Sequence, residues 1–273
     1  MIINKILSKI NGLKYRLDLI NECRRLKQSG KHLPKGLKKM IFKSPSTYED
    51  FINILCFIDN KHETNLIDIG ANVGKFTSDF IKFFPNTNQI LLFEPNLELN
   101  NKIKDNLNEF KNFEIINKGV GEKNETKIFN YNNNETALGA FKEYNDTVKP
   151  FYKNKNLESK NIEIIKLDDF INFSEAQKQI VVKIDVQGFE SQVIKGGLKF
   201  LEKSDLIILE CSFVSEYKDT EPSFIECAEL LKKINIYPII FQDYGKKISN
   251  YAFERDVIFV KKELLNKIFY SEY

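Results

Sequence analysis

Asn65–Phe76, NLIDIGANVGKF, is a short apolar run that closes on Asp68 and then opens onto two glycines four residues apart. Apolar residues that end abruptly on an acid and a glycine predict a buried strand running into a tight turn. The apolar positions after Gly74 recur at helical spacing. Glycine at Gly70 and Gly74 lets the chain turn sharply and lets a ligand approach the backbone. The stretch therefore predicts the first βα turn of a doubly wound sheet, the place where such folds bind ligands outside the carboxyl ends of their strands.

The rest of the chain supplies the strands and crossovers that this reading needs. Further strand-like runs are ILLFEP (90–95), FEIINKGV (113–120), IVVKID (180–185), LIILEC (206–211), YPIIF (237–241) and DVIFVK (256–261). Helix-period segments fall between most of them, most clearly at Thr77 to Phe84, Leu97 to Phe110, Glu190 to Leu201 and Phe224 to Ile234. This alternation predicts an α/β fold with a mostly parallel sheet, because parallel strands need crossover helices. Residues 121–179 break the rhythm: TKIFNY and IEIIK read as strands flanking a polar, Asn-rich stretch at 130–160, an insertion over the sheet edge or the active site.

Composition agrees with a folded enzyme-sized chain. Of 273 residues, 42% are hydrophobic, enough for a sizeable core. No apolar run approaches the roughly 20 residues that span a bilayer, and the N-terminus lacks a signal-peptide pattern, so a cytosolic location is expected. Cys23, Cys56, Cys211 and Cys227 show no CxxC spacing and no pairing with His32 or His62, which argues against zinc and a disulfide framework.

Charge is segregated. The net charge is +3, yet residues 1–43 hold 12 Lys/Arg against Asp18 and Glu22, a balance of +10 that leaves 3 − 10 = −7 for the remainder. Ile3, Ile6, Ile10, Leu13, Leu17, Ile20, Cys23 and Leu26 recur at three or four residues, which predicts a helix with one apolar stripe ending near Gly30. That stripe is expected to pack on the main domain or on a second subunit of a homo-oligomer. Docking on an anionic membrane surface or an acidic substrate would be a second use for it. The chain thus divides into a basic helical region, 1–60, and an α/β domain, 61–273, with the insertion at about 121–179.

Two constellations carry chemistry. In the first, D-x-G-x-N-x-G (Asp68, Gly70, Asn72, Gly74) leads to a helix, a second strand and Glu94, which follows Gly74 by 20 residues. An acid there is the expected partner of two ribose hydroxyls, while the absence of G-x-G-x-x-G weakens a nicotinamide dinucleotide reading. An adenosine nucleoside without a strong pyrophosphate requirement fits best. In the second, IVVKIDVQGFE (180–190), Lys183 and Asp185 point the same way out of an apolar strand. Burying them requires mutual compensation, a third partner such as Glu210, or a cavity. Glu190 at a helix start favours the helix dipole.

DIGANVGKF, FEPN, INKGV, KLDDF and above all VVKIDVQGFESQVIKGG resemble the FkbM-type family of S-adenosylmethionine-dependent methyltransferases, in order, over roughly residues 45–262. The resemblance implies a class I methyltransferase, Rossmann-like doubly wound sheet with an antiparallel last strand. It further implies that Asp68, Gly70, Asn72, Gly74 and Phe76 form the cofactor loop, that Glu94 holds the ribose, and that Val120 lies near the adenine. Asp168 and Asp169 match the family's LDD, although an N-cap at Asp168 explains that motif without a ligand.

Methyl transfer from a sulfonium disperses charge rather than creating it, so positioning dominates. A hydroxyl acceptor must still lose its proton, to a general base or by metal coordination. His62 precedes the first strand and His32 lies in the basic module, leaving Asp185, Glu190 and Glu210 as catalytic candidates, with Lys183 tuning a pKa or binding substrate. Asp185 and Glu210 end neighbouring strands and are also candidates to share a cation such as Mg²⁺.

The expected activity is O-methylation of a small, sugar-containing acceptor for polysaccharide or natural-product synthesis, and the basic arm suits an anionic, nucleotide-activated sugar. A nucleic-acid methyltransferase would use that arm on phosphates, but the main domain is acidic and shows no aromatic-basic interleaving, so nucleic acid is not an expected partner. A nicotinamide-dependent oxidoreductase would fit the sheet but lacks the glycine fingerprint. A non-catalytic cofactor-binding protein would keep the glycine turn without needing Lys183 and Asp185 in a buried strand.

Overall fold

The computed structural model describes the backbone of all but residues 1, 31–32, 34–35, 44, 60, 133–135, 137–138, 143–157, 175–177, 216, 219–221, 242–246, 249–250, 253 and 271–273. Three helices come first: α1 (Ile2–Gln28), α2 (Leu37–Lys43) and α3 (Pro45–Phe57). There follow β1 (Thr64–Ile69), α4 (Lys75–Phe83), β2 (Thr87–Phe93), α5 (Asn100–Asn106), β3 (Phe113–Ile116), β4 (Gly119–Val120), β5 (Glu125–Tyr131) and β6 (Glu158–Ile165). Then come β7 (Gln179–Ile184), α6 (Glu190–Lys195), α7 (Leu198–Glu202), β8 (Leu206–Ser212) and α8 (Ser223–Lys232). The chain closes with β9 (Ile236–Phe241), β10 (Lys247–Ile248), β11 (Tyr251–Ala252), β12 (Glu254–Lys261) and α9 (Lys262–Tyr270).

Among the described residues the main sheet has seven strands in the order β3-β2-β1-β7-β8-β12-β9. The pairs from β3 through β8 are parallel, and β12 inserts antiparallel between β8 and β9. The order reverses between β1 and β7, which opens the crevice that receives a ligand in such sheets. Pro238 lies on β9, the edge strand, where a missing N–H costs no ladder bond on the open side.

Side-chain alternation builds a separate core on each face. Leu66, Leu92, Val181 and Ile208 face one way, onto α1, α3 and α4 through Leu19, Cys23, Leu55 and Phe80. Ile67, Phe93, Val182 and Leu209 face the other way, onto α6, α7 and α8 through Val193, Phe200 and Leu231. The basic helical region is therefore part of the main core: the described stripe residues Ile20, Cys23 and Leu26 are buried there. Leu13 and Leu17 instead stay exposed, at 50% and 47%. Side chains before Gly12 lie outside the described residues.

The structure revises three expectations about single elements. FEIINKGV is two strands, because Asn117 leaves the sheet to donate to the Glu94 carbonyl at 2.8 Å, after which β4 pairs with β6 in a second sheet. The helix expected over Glu190 to Leu201 breaks at Gly196–Gly197. A Cβ on Gly196 would lie 1.9 Å from the Gly121 carbonyl oxygen, so the chain there is pressed against a neighbouring backbone. Asp168 lies inside a 3₁₀ segment, Leu167–Ser174, rather than capping a helix of its own. Its carboxylate accepts from the Phe200 amide at 2.9 Å and so caps α7, whose Gly197 offers no side-chain oxygen. The expected insertion appears as the antiparallel pair β5–β6, with Tyr131 opposite Glu158.

Candidate active site

The carboxyl ends of β1, β2, β7 and β8 converge on one cavity. Gly70, Asn72, Glu94, Val120, Asp185 and Glu210 all line it. Part of the opposite wall comes from the inserted segment, through Phe129, Thr136, Gly139 and Phe141.

One end of the cavity is built by the turn after β1. Gly70 has φ 84°, and a Cβ there would stand 1.8 Å from the Asp185 carbonyl oxygen, so this position admits only glycine. Asn72 is also left-handed, at φ 50°, which lets its amide donate to Glu94 Oε2 at 2.8 Å. The Asn96 amide donates to Glu94 Oε1 at 2.8 Å. Each carboxylate oxygen is thereby fixed while retaining a lone pair for a hydroxyl donor. Burial pushes the Glu94 carboxyl up to about 7 against these two bonds. The Asn72 Oδ1 atom is buried without a hydrogen-bond partner among the described residues, and Asn72 lines the cavity, so a ligand donor would satisfy this polar orphan. A vicinal diol on Glu94 and a donor on Asn72 are what the nucleoside of S-adenosylmethionine offers, so the residues present fit that cofactor.

Other residues of the expected cofactor loop take supporting places. Asp68 is buried at the end of β1; its Oδ2 accepts from the Thr77 hydroxyl at 2.5 Å, and its Oδ1 has no hydrogen-bond partner among the described residues. Gly74 caps α4 in the left-handed region. Phe76 is turned away from the cavity, 5.5 Å from the Phe51 ring, with the Lys183 ammonium 5.4 Å over its face.

Three of the four catalytic candidates meet here: Asp185 and Glu210 line the cavity, and Lys183 pairs with Asp185 from behind it. Lys183 pairs with Asp185 Oδ2 at 2.6 Å and stands beside Asp68 in the β1–β7 register. Burial alone would discharge Lys183, but Asp185, Asp68 and Asp256 outweigh it and raise its pKa. Burial likewise opposes ionisation of Asp185, yet Lys183 and hydrogen bonds from Glu210, Lys183 and Gln187 hold it down to about 2. Glu210 goes the other way: burial, then the charges of Asp185, Glu254 and Asp256, push it well above the carboxylate range. The pair thus holds one proton, on the Glu210 side, and one charge on Asp185.

Gln187, which has no place among the candidates drawn from the sequence, links the two. Its Nε2 donates to Asp185 Oδ1 at 3.2 Å and to Glu210 Oε2 at 2.7 Å, from a backbone at φ 52°. These partners also bear on the cation expected between Asp185 and Glu210. Lys183 and the Gln187 amide already bond both Asp185 oxygens and Glu210 Oε2, and among the described residues no group of three or more His, Cys, Asp or Glu is placed to hold a cation. The structure gives that expectation no support. Glu190 does not reach the cavity: its Oε1 accepts from Gly188 and Val186 amides at 3.0 and 3.3 Å, bracing the turn that carries Gln187. His62 is exposed just before β1, 3.9 Å from Asp59, and His32 lies outside the described residues.

A parallel sheet closed by an antiparallel strand, with an acid after β2 and a glycine turn after β1, defines a class I methyltransferase. The chain belongs to the FkbM methyltransferase family, whose domain, described as "Methyltransferase FkbM domain", matches residues 68–248. Membership makes the protein a methyltransferase and implies S-adenosylmethionine as the methyl donor.

One curated relative, the 2-O-methyltransferase NoeI of Sinorhizobium fredii (strain NBRC 101917 / NGR234), is 24% identical over 207 residues, covering 72% of this chain and 81% of the relative. Among solved structures, the N-methyltransferase NodS from Bradyrhizobium japonicum WM9 aligns with a TM-score of 0.42 and 8% identity, covering 80% of this chain and 97% of that one. The precorrin-6y C5,15-methyltransferase from Geobacter metallireducens GS-15 aligns with a TM-score of 0.36 and 12% identity, covering 74% and 82%.

Proposed function

We propose that the protein is an S-adenosylmethionine-dependent O-methyltransferase that acts on a hydroxyl of a small, sugar-containing acceptor. The observation that carries this reading is the Lys183–Asp185–Gln187–Glu210 cluster beside the nucleoside end of the cavity. S-adenosylmethionine, when bound, supplies an electrophilic methyl group. Glu94 and Asn72 hold the nucleoside, and the strand ends orient the acceptor. The acceptor hydroxyl gives up its proton as its oxygen is alkylated, and Asp185 is a cavity carboxylate kept ionised to receive it. An acid near pKa 2 is a weak base, but an alkylated hydroxyl is a far stronger acid than any carboxylic acid, so late transfer to Asp185 is downhill. Lys183 keeps that charge in place and Gln187 fixes the carboxylate plane.

A sugar acceptor is supported by the lining itself. The rings of Phe129 and Phe141 offer an apolar surface for sugar C–H faces, while Asp185, Gln187 and Glu210 offer planar polar groups for hydroxyls. The curated relative's name specifies an oxygen acceptor. The test is methyl transfer from S-adenosylmethionine to a panel of nucleotide sugars, free sugars and oligosaccharides. Asp185→Asn should lower turnover by about 100-fold or more while S-adenosylhomocysteine binding, followed by calorimetry, stays near that of the wild type. Unchanged turnover would make the cluster a spectator ion pair, and transfer to amines alone would overturn the oxygen assignment.

A further inference from the structure

The basic helical cap has an outer face that the methyl-transfer site does not use. On α1, Leu13 and Leu17 stand one turn apart and are 50% and 47% exposed. Arg16 ties this flank to α2, its Nε donating to the Phe42 carbonyl at 3.4 Å, and the Phe42 side chain is 42% exposed. Steps of four, three and four residues carry the same side of α1 from Leu13 through Leu17 and Ile20 to Arg24. There the face runs into a groove with an apolar floor, including Ile20, Leu33 and Leu37, and a rim of Arg24, Lys27, Lys38 and Lys61. No acidic side chain is among its lining residues. The balance of +10 over residues 1–43, against −7 for the remainder, places the chain's positive charge on this cap.

We propose that α1 and α2 form a peripheral docking surface for an anionic lipid bilayer. Leu13, Leu17 and Phe42 enter the zone between headgroups and acyl chains, and the four cations of the groove rim meet lipid phosphates. The contact is superficial, since no helix among the described residues is long and apolar enough to cross a membrane. Charge complementarity selects this occupant. A second copy of the chain packed face to face on this cap would bring the same +10 against itself. A nucleic-acid backbone would match the cations but leave three large apolar side chains facing water.

The test is sedimentation of the full-length protein with vesicles of phosphatidylcholine alone and with about one third phosphatidylglycerol. The anionic vesicles should bind at least about tenfold more protein, and the difference should shrink as salt rises. Leu13→Asn with Leu17→Asn, and separately Arg24→Glu with Lys38→Glu, should each reduce vesicle binding about tenfold. Both pairs are exposed, so the variants' melting curves should match that of the wild type. Equal binding to neutral and anionic vesicles, or none at low salt, would overturn the proposal. So would competition by RNA, or self-association abolished by the same substitutions.

Discussion

Lys183→Met is the most informative single change, because it removes the buried cation that pairs with Asp185 while keeping an unbranched apolar side chain of similar length. The side chain is 9% exposed and pairs at 2.6 Å with Asp185, whose side chain is 30% exposed. Breaking a buried pair by removing one partner costs about 3–5 kcal/mol, since a charge is left uncompensated. The partial opening of Asp185 to the cavity favours the lower end, about 3 kcal/mol, or a melting point lower by roughly 6–12 °C for a chain of this size.

The pH dependence separates this cause from simple loss of packing. In the wild type Asp185 titrates at about 2, below its ordinary value of 3.8, so its contribution is present above that range and is lost only as pH falls through 2. Without Lys183, the Asp68, Asp185, Glu210 and Asp256 carboxyls face one another and their native pKa values rise. The native state then binds more protons than the unfolded state, and the variant gains stability as pH falls from 8 to 5. The raised values of Glu94 and Glu190 are common to both proteins and cancel in the comparison. Urea unfolding at pH 5, 6, 7 and 8 should therefore show a gap that narrows toward pH 5. A gap independent of pH, or smaller than about 1 kcal/mol at pH 8, would refute the electrostatic account. Adding Asp185→Asn to Lys183→Met should recover part of the loss.

Three further expectations concern neighbouring positions. Because Glu94 sits at about 7 and accepts hydroxyl donors best when ionised, S-adenosylhomocysteine affinity should rise from pH 6 to pH 8 and then level off; a flat calorimetric profile would remove Glu94 from the site. Gly70→Ala should lower stability by about 2 kcal/mol or more and weaken nucleoside binding, since the new methyl meets the Asp185 carbonyl and the backbone is left-handed. Gln187→Leu should leave S-adenosylhomocysteine binding intact while shifting the pH–rate profile, because the Asp185–Glu210 pair loses its shared donor.

Strand positions and the floor residues were legible because they break a local pattern. Asp68, Lys183, Asp185 and Glu210 are charges in apolar runs, and period-two alternation puts Asp68 and Lys183 on one face, where the register makes them neighbours. Gln187 was not legible: an amide in a turn carries no charge signal, and its role depends on the left-handed backbone after β7. Glu254 and Asp256 escaped notice as site residues for a different reason. They reach Glu210 only because β12 runs antiparallel beside β8, with Asp256 opposite Glu210, a long-range pairing that no local spacing reveals. Phe129 and Phe141 belong to the inserted segment, whose polar composition hid its contribution to the cavity.

The antiparallel pairing of β5 with β6 bears on how such an enzyme diversifies. Tyr131 and Glu158 stand opposite each other, so both ends of the intervening stretch are fixed at one place on the second sheet. A change of the stretch between those two residues alters the cavity wall that Thr136, Gly139 and Phe141 supply while leaving the order of the main sheet in place. We expect chimeras cut at β5 and β6 to inherit cofactor binding from one parent and acceptor preference from the other, which paired assays of S-adenosylhomocysteine binding and of acceptor methylation would check.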